Sequence, residues 1–146
     1  MIVDQTLELS GITIEKTVKM MRLSFSRILL QHPEVDITID QWIIIQILHQ
    51  YNGLSQQQLG ELTFKDAPTI TRMIDLLVAN GLVAKDADAN DRRKFKLSLT
   101  DNGRKGYALV APLVRQFRQN AYDGITEYEL KALENALNKI FENLSK

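Results

Sequence analysis

The chain has 146 residues, 45% hydrophobic and 25% charged, with 18 basic and 18 acidic side chains giving a formal net charge of +0. That composition fits one folded domain over residues 1–146, with enough apolar side chains for a core and no segment polar enough for long disorder. Cysteine is absent, which excludes disulfides, thiolate metal sites and thiol redox sensing. No apolar run approaches a membrane span, and the first residues carry Asp4 and Glu8 without a basic segment, unlike a signal peptide. A cytoplasmic protein with no membrane partner is expected.

Ile14, Val18, Met21, Phe25 and Ile28 recur at alternating steps of four and three, which predicts an amphipathic helix over residues 12–31. In "ITIDQW", Thr38 can cap a second helix, Gln41 stands at the reciprocal position, and Ile37 and Trp42 form the hydrophobic staple. This helix stops near Tyr51, at Asn52-Gly53. Ser55 and Gln58, stapled by Leu54 and Leu59, open a third helix. After a short turn between Leu62 and Asp66, Asp66 caps a fourth that holds Pro68 in its first turn and ends at Gly81. "LVAK" at residues 82–85 and "FKLSL" at residues 95–99 read as strands, with Phe95, Leu97 and Leu99 alternating against Lys96 and Ser98. "DADANDRRK" joins them as a polar hairpin tip. Thr100 caps a helix carrying Tyr107, Leu109, Val110, Val114 and Phe117, and Thr126 with Glu129 opens a last one reaching Leu144.

The order α-α-α-α-β-β-α-α is mainly α with a small β-hairpin wing. It describes a winged helix-turn-helix over about residues 38–100, flanked by helices at about residues 5–32 and 101–146. Modules of this kind commonly bind DNA.

Charge alone does not argue for that partner, because residues 54–106 carry nine basic and seven acidic side chains, too small an excess. Position does. On the fourth helix Ile70, Met73, Ile74 and Leu77 share one side, while Pro68, Arg72, Asp75 and Ala79 lie opposite and Thr69 and Thr71 flank the exposed strip. The N-terminal end of a recognition helix faces base edges, and an Arg72 guanidinium could bridge O6 and N7 of guanine. A surface ion pair with Asp75 or Asp66 explains Arg72 equally well. Arg92, Arg93, Lys94 and Lys96 crowd the hairpin, whose tip is narrow and mobile enough for a minor groove that attracts Arg and Lys. The alternative is a charged edge that prevents sheet pairing, which for Lys96 weighs as much as a phosphate contact.

From Thr71-Arg72-Met73 through Asp75, Leu77, Gly81-Leu82-Val83, Asp91-x-Arg93 and Leu99-Thr100 to Gly103, the chain strongly resembles the MarR family of bacterial transcriptional regulators. The resemblance is closest from Thr38 to Gly103. It implies a homodimer held by the N- and C-terminal helices, bound to a palindromic operator that it usually represses. It also implies that Arg93 enters the minor groove, that Asp91 orients the wing, and that residues 67–72 read the major groove. The DNA-contact set expected is therefore Lys65, Ala67, Pro68, Thr69, Thr71, Arg72, Asp91, Arg92, Arg93 and Lys94. Many members of the family release DNA when a small aromatic or phenolic ligand binds. The sequence departs from the family pattern at Leu76 and Asp86, where basic residues are frequent.

An enzyme is not expected: the chain has only His32 and His49, no Gly-rich phosphate loop and no paired-acid motif, and nothing calls for a cofactor or metal. Phe25, Trp42 and His49 are the aromatic candidates for an effector pocket, with plain core packing as the alternative. The function expected is a sequence-specific, homodimeric repressor released from its operator by a small molecule. The competing reading is a winged-helix protein-interaction module that has lost DNA binding, although such a module has no need of Arg72, Arg92 and Arg93.

Overall fold

Helix starts that carry a hydroxyl, followed three residues later by an amide or carboxyl, close in both directions. In this computed structural model, which describes the backbone of residues 2–146 and the side chains of residues 11–146, Thr38 Oγ1 accepts from the Gln41 N–H at 3.2 Å. Gln41 Oε1 in turn accepts from the Thr38 N–H at 3.1 Å. Ser55 with Gln58 and Thr126 with Glu129 repeat the arrangement. Each box thus satisfies two N–H groups that a helix end otherwise leaves unpaired. The elements are α1 (Ile2–Leu30), α2 (Ile39–Gln50), α3 (Gln56–Thr63), α4 (Ala67–Ala79), β1 (Val83–Ala87), β2 (Phe95–Leu99), α5 (Asp101–Ala121) and α6 (Glu127–Leu144). The order and fold class are those expected, with α1 beginning earlier than its apolar stripe. Asp4 and Glu8, read above against a signal peptide, lie outside the described side chains.

The chain divides into two compact units, Met1–Val114 and Arg115–Lys146. In the first, Ile44, Ile45 and Leu48 of α2, Leu59 of α3, Ile70, Ile74 and Leu77 of α4, and Leu97 of β2 are at most 1% exposed. Burying each such side chain stabilises the fold by about 2 kcal/mol before the entropy of ordering it is subtracted. In the C-terminal half of α1, Phe25 and Leu29 are buried and Arg22 pairs with Asp40 at 2.9 Å. Ile14 and Val18, earlier in the same stripe, remain exposed. In the second unit, α6 buries no side chain, and its apolar positions Leu133, Leu137, Ile140 and Phe141 are exposed.

The hairpin differs from its sequence reading in three ways. Strand β1 continues through Asp86 and Ala87, which pair with Lys96 and Phe95 rather than belonging to the tip. The register set by Val83 against Leu99 carries the ladder outward, and pairing overrides the weak strand preference of Asp and Ala. Phe95 shares its face with Leu97 and Leu99 but lies beyond the core, 42% exposed, with Lys85 Nζ 4.9 Å from its ring centroid. Finally, β2 has a partner on its other edge: the Gly53 N–H donates to Leu97 O at 2.9 Å, and the Leu97 N–H donates to Leu54 O at 2.8 Å.

Candidate nucleic-acid interface

The turn between α3 and α4 is short because two features tighten it. Phe64 closes α3 in the left-handed conformation, φ 53°. Gly60 lets the chain fold back, since a Cβ there would stand 3.2 Å from Lys65 O. Asp66 then caps α4, its Oδ1 accepting from the Thr69 N–H at 2.7 Å. Hydrogen bonding from Thr69, side chain and backbone, holds this carboxyl below its ordinary range, and the Arg72 charge acts in the same direction. A negative cap also suits the positive end of the helix.

Helix α4 shows the two faces its periodicity predicts. Ile70, Ile74 and Leu77 are buried and Met73 is half-buried, while Ala67, Pro68, Thr71, Arg72 and Asp75 are exposed. Thr69 and Lys65 are half-buried. Gln56 Nε2 donates to Thr71 Oγ1 at 3.3 Å, tying the first turn of α3 to the middle of α4. Among the described residues, Arg72 closes no ion pair with Asp66 or Asp75. Its guanidinium is therefore presented to solvent, as a groove-reading residue requires.

The tip of the wing is tied by its own acids. The Asp88 N–H donates to Lys94 O at 3.0 Å and the Lys94 N–H to Asp91 O at 3.1 Å. Asp91 Oδ1 accepts from the Arg93 N–H at 3.0 Å, and Asp88 Oδ1 accepts from the Asn90 N–H at 2.9 Å. Side chains that bond backbone two residues on fix a turn in this way. Asp91 is thereby used up in shaping the loop, while Arg92, Arg93 and Lys94 are exposed and, among the described residues, close no ion pair.

The base of the wing explains why threonine and glycine follow β2. Thr100 Oγ1 donates to Gly81 O at 2.6 Å and accepts from the Gly103 N–H at 3.0 Å. The Thr100 N–H donates to Leu82 O at 3.1 Å. One threonine thus joins the exit of α4 to the start of α5. Backbone passes so close that a Cβ on Gly103 would lie 2.1 Å from Leu82 O.

Of the three aromatic pocket candidates, the structure brings two together through a third ring. Tyr107 of α5 stacks on His49 with centroids 3.6 Å apart and planes 5° apart, and on Trp42 at 5.3 Å and 22°. Trp42 and Phe25 are buried and His49 is exposed. Tyr107 was legible only as part of an apolar face, because its partners lie on another helix far away in sequence. A cleft appears instead beside the helix-turn-helix, where Phe64, Lys65, Ala67, Ile70 and Thr71 line one concavity. Phe64 carried no sequence signal beyond its place in a turn. His32 faces Glu34, Nδ1 to Oε1 at 3.1 Å. The Glu34 carboxyl is held low by a backbone hydrogen bond first and by His32 second. Among the described residues no three His, Asp or Glu side chains group as a metal site would need, and no helix is long and apolar enough to cross a membrane.

Residues 37–95 match the model of the MarR family. The HTH-type transcriptional regulator TtmR of Methylorubrum extorquens is 36% identical over 78 residues, which are 53% of this chain. The chain spans only 39% of that relative's length. Bordetella bronchiseptica BpsR, whose DNA binding is regulated by 6-hydroxynicotinic acid, has a similar structure, with TM-score 0.77 and 25% identity over 89% of this chain and 91% of that one. A mutant MarR from E. coli complexed with operator DNA shares the fold at TM-score 0.69 and 24% identity, over 90% of this chain and 95% of its own.

Proposed function

We propose that the chain, whose residues 37–95 match the model of the MarR family, is a sequence-specific DNA-binding transcriptional regulator, a cytoplasmic homodimer that represses from a palindromic operator and leaves it when a small aromatic or phenolic effector binds. The observation that carries this reading is a set of exposed cations in a chain of zero net charge. Arg72 on α4 and Arg92, Arg93 and Lys94 at the wing close no ion pair among the described residues. Paired surface charges would gain little from DNA, whereas these four can each displace a condensed counterion from a phosphate or enter a groove. Arg72, with Thr71 and Ala67, is assigned to the major groove, and Arg93, on a loop shaped by Asp91, to the minor groove.

Two separate faces favour a dimer. On α1, Ile14 and Val18 are exposed, and on α6, Leu133, Leu137 and Ile140 are exposed. For a dimer formed by burying these residues to bind consecutive major grooves, its two recognition helices must stand about 34–36 Å apart. An effector then need only bind more tightly to a dimer with a different spacing. The Trp42–Tyr107–His49 stack is the aromatic surface such a ligand would join, with Phe25, which is buried, as the third candidate.

The test is a fluorescence-anisotropy titration against DNA from upstream of the chain's own gene and against scrambled DNA, at two salt concentrations. Tight binding to the specific fragment alone, weakening steeply with salt, is expected. Equal, weak binding to both fragments, and to any sequence selected from random DNA, would refute the reading and favour an interaction module.

A further inference from the structure

The wing outruns the core that supports its base. Along the face of the hairpin that turns to the core, Val83 stands opposite Leu99 and Lys85 opposite Leu97, and Val83, Leu97 and Leu99 are buried. The outermost pair, Ala87 opposite Phe95, is exposed on both strands, and Leu54 reaches β2 only at Leu97. Two strands without further support are marginally stable, so the outer ladder needs a contact of its own. It has one: Lys85 Nζ lies 4.9 Å from the centroid of the Phe95 ring. The two residues are diagonal neighbours across the ladder, a separation that a long side chain and an aromatic ring can span. Asp86 and Asp88 are close in sequence, yet among the described residues Lys85 closes no ion pair with either.

Phe95 also stands where the ladder meets the tip. Its neighbour Lys94 makes two of the backbone hydrogen bonds that tie the tip, one with Asp88 and one with Asp91, and Asp91 Oδ1 accepts from the Arg93 N–H. A ladder that frays at Ala87 and Phe95 would loosen those bonds and let the Arg93 side chain swing. We propose that Lys85 and Phe95 are positioning residues for DNA binding: their cation–π contact holds the outer ladder closed, so that Arg93 meets the minor groove already oriented. The inference rests on the DNA-binding reading above. An arginine carried on an ordered loop loses less freedom on binding than one on a frayed ribbon, and the difference appears as affinity. In this arrangement neither Lys85 nor Phe95 touches the nucleic acid; both act through Arg93.

An operator is first selected from random duplex DNA with the wild-type protein, and its affinity is then measured by fluorescence anisotropy over a range of salt. The proteins compared are wild type, Phe95→Leu, Phe95→Tyr, Lys85→Met, Arg93→Ala and the double variant Phe95→Leu with Arg93→Ala. Phe95→Leu and Lys85→Met should each bind about two- to fivefold more weakly, the effect of losing one exposed cation–π contact, while Phe95→Tyr keeps the ring and binds like wild type. In the Arg93→Ala background, Phe95→Leu should change nothing further, because a residue that acts through Arg93 has nothing left to position. Lys85→Met should keep the wild-type slope of log affinity against log salt, whereas loss of a phosphate contact would lower it by about one. Thermal melting of both single variants should stay within a few degrees of wild type, since the pair lies beyond the core. The proposal is overturned if Phe95→Leu binds like wild type, if its effect persists in full without Arg93, if the salt slope of Lys85→Met falls by about one, or if Phe95→Leu melts far below wild type, which would make the ring part of the core. If wild type enriches no sequence at all, the DNA-binding reading itself fails and the positioning role falls with it.

Discussion

Replacing Gly103 by alanine tests whether close backbone packing at the base of the wing outweighs helix propensity. Gly103 lies in the first turn of α5, where alanine is favoured over glycine by up to about 1 kcal/mol if nothing else changes. The structure predicts the opposite sign. The new Cβ would meet Leu82 O at 2.1 Å, about 1 Å inside the 3.0 Å that real Cβ contacts respect, and the obstacle is backbone rather than a flexible side chain. Moving α5 away would stretch the bonds from Thr100 N–H to Leu82 O and from Thr100 Oγ1 to Gly81 O. Two hydrogen bonds at roughly 1 kcal/mol each, with about 1–3 kcal/mol of overpacking, exceed the propensity gain. The net loss is on the order of 2–4 kcal/mol, a fall in Tm of about 6–12 °C for a chain of this length. The matched control is Gly11→Ala on exposed α1, where a Cβ meets nothing within 4 Å and Tm should rise by a few degrees. Thermal melts by circular dichroism at one fixed protein concentration read both. A Gly103→Ala protein as stable as wild type, or more so, would refute the close approach and the role assigned to this glycine.

Arg93→Ala should weaken operator affinity by about tenfold or more and flatten the salt dependence, with the dimer unchanged by light scattering; unaltered affinity removes Arg93 from the interface. Leu137→Glu, on the exposed apolar face of α6, should convert a dimeric mass to a monomeric one, and a wild-type protein that is already monomeric would dismiss the assembly. Asp66 gives a pH signature. Its carboxyl is held low in the folded chain by Thr69 and then Arg72, so its contribution to stability is present above the ordinary carboxylate pKa and lost as pH falls through the folded value. The Tm difference between wild type and Asp66→Asn should therefore be largest at about pH 6 and above and shrink in acid; a difference that grows in acid would contradict the cap.

What the sequence determined by itself was whatever depends on neighbours within four residues. The caps at Thr38, Ser55, Asp66 and Thr126 were legible because each partner lies three positions on, and the buried face of α4 because Ile70, Ile74 and Leu77 follow one helical period. The cationic tip was equally plain as a run of residues. The motif set around Thr100 and Gly103 pointed to a family, but a motif does not say why glycine is needed. That reason, the carbonyl of Leu82 arriving from the far side of the wing, exists only when chain segments distant in sequence meet.

Tertiary structure decided the rest for the same reason. The ladder carried β1 through Asp86 and Ala87 against their own preference, and Leu54 became a partner of Leu97 although no run of residues marks a strand there. Tyr107 came to lie against His49 and Trp42 because α5 and α2 place them together. Phe64 took a left-handed turn that propensity disfavours, because α3 and α4 must be joined across a short span and their buried faces fix where it ends. Local preferences are worth tenths of a kcal/mol to about 1 kcal/mol, while burying the side chains of α2, α3 and α4 is worth about 2 kcal/mol apiece. Where the two agree the sequence is enough, and where they conflict the core decides.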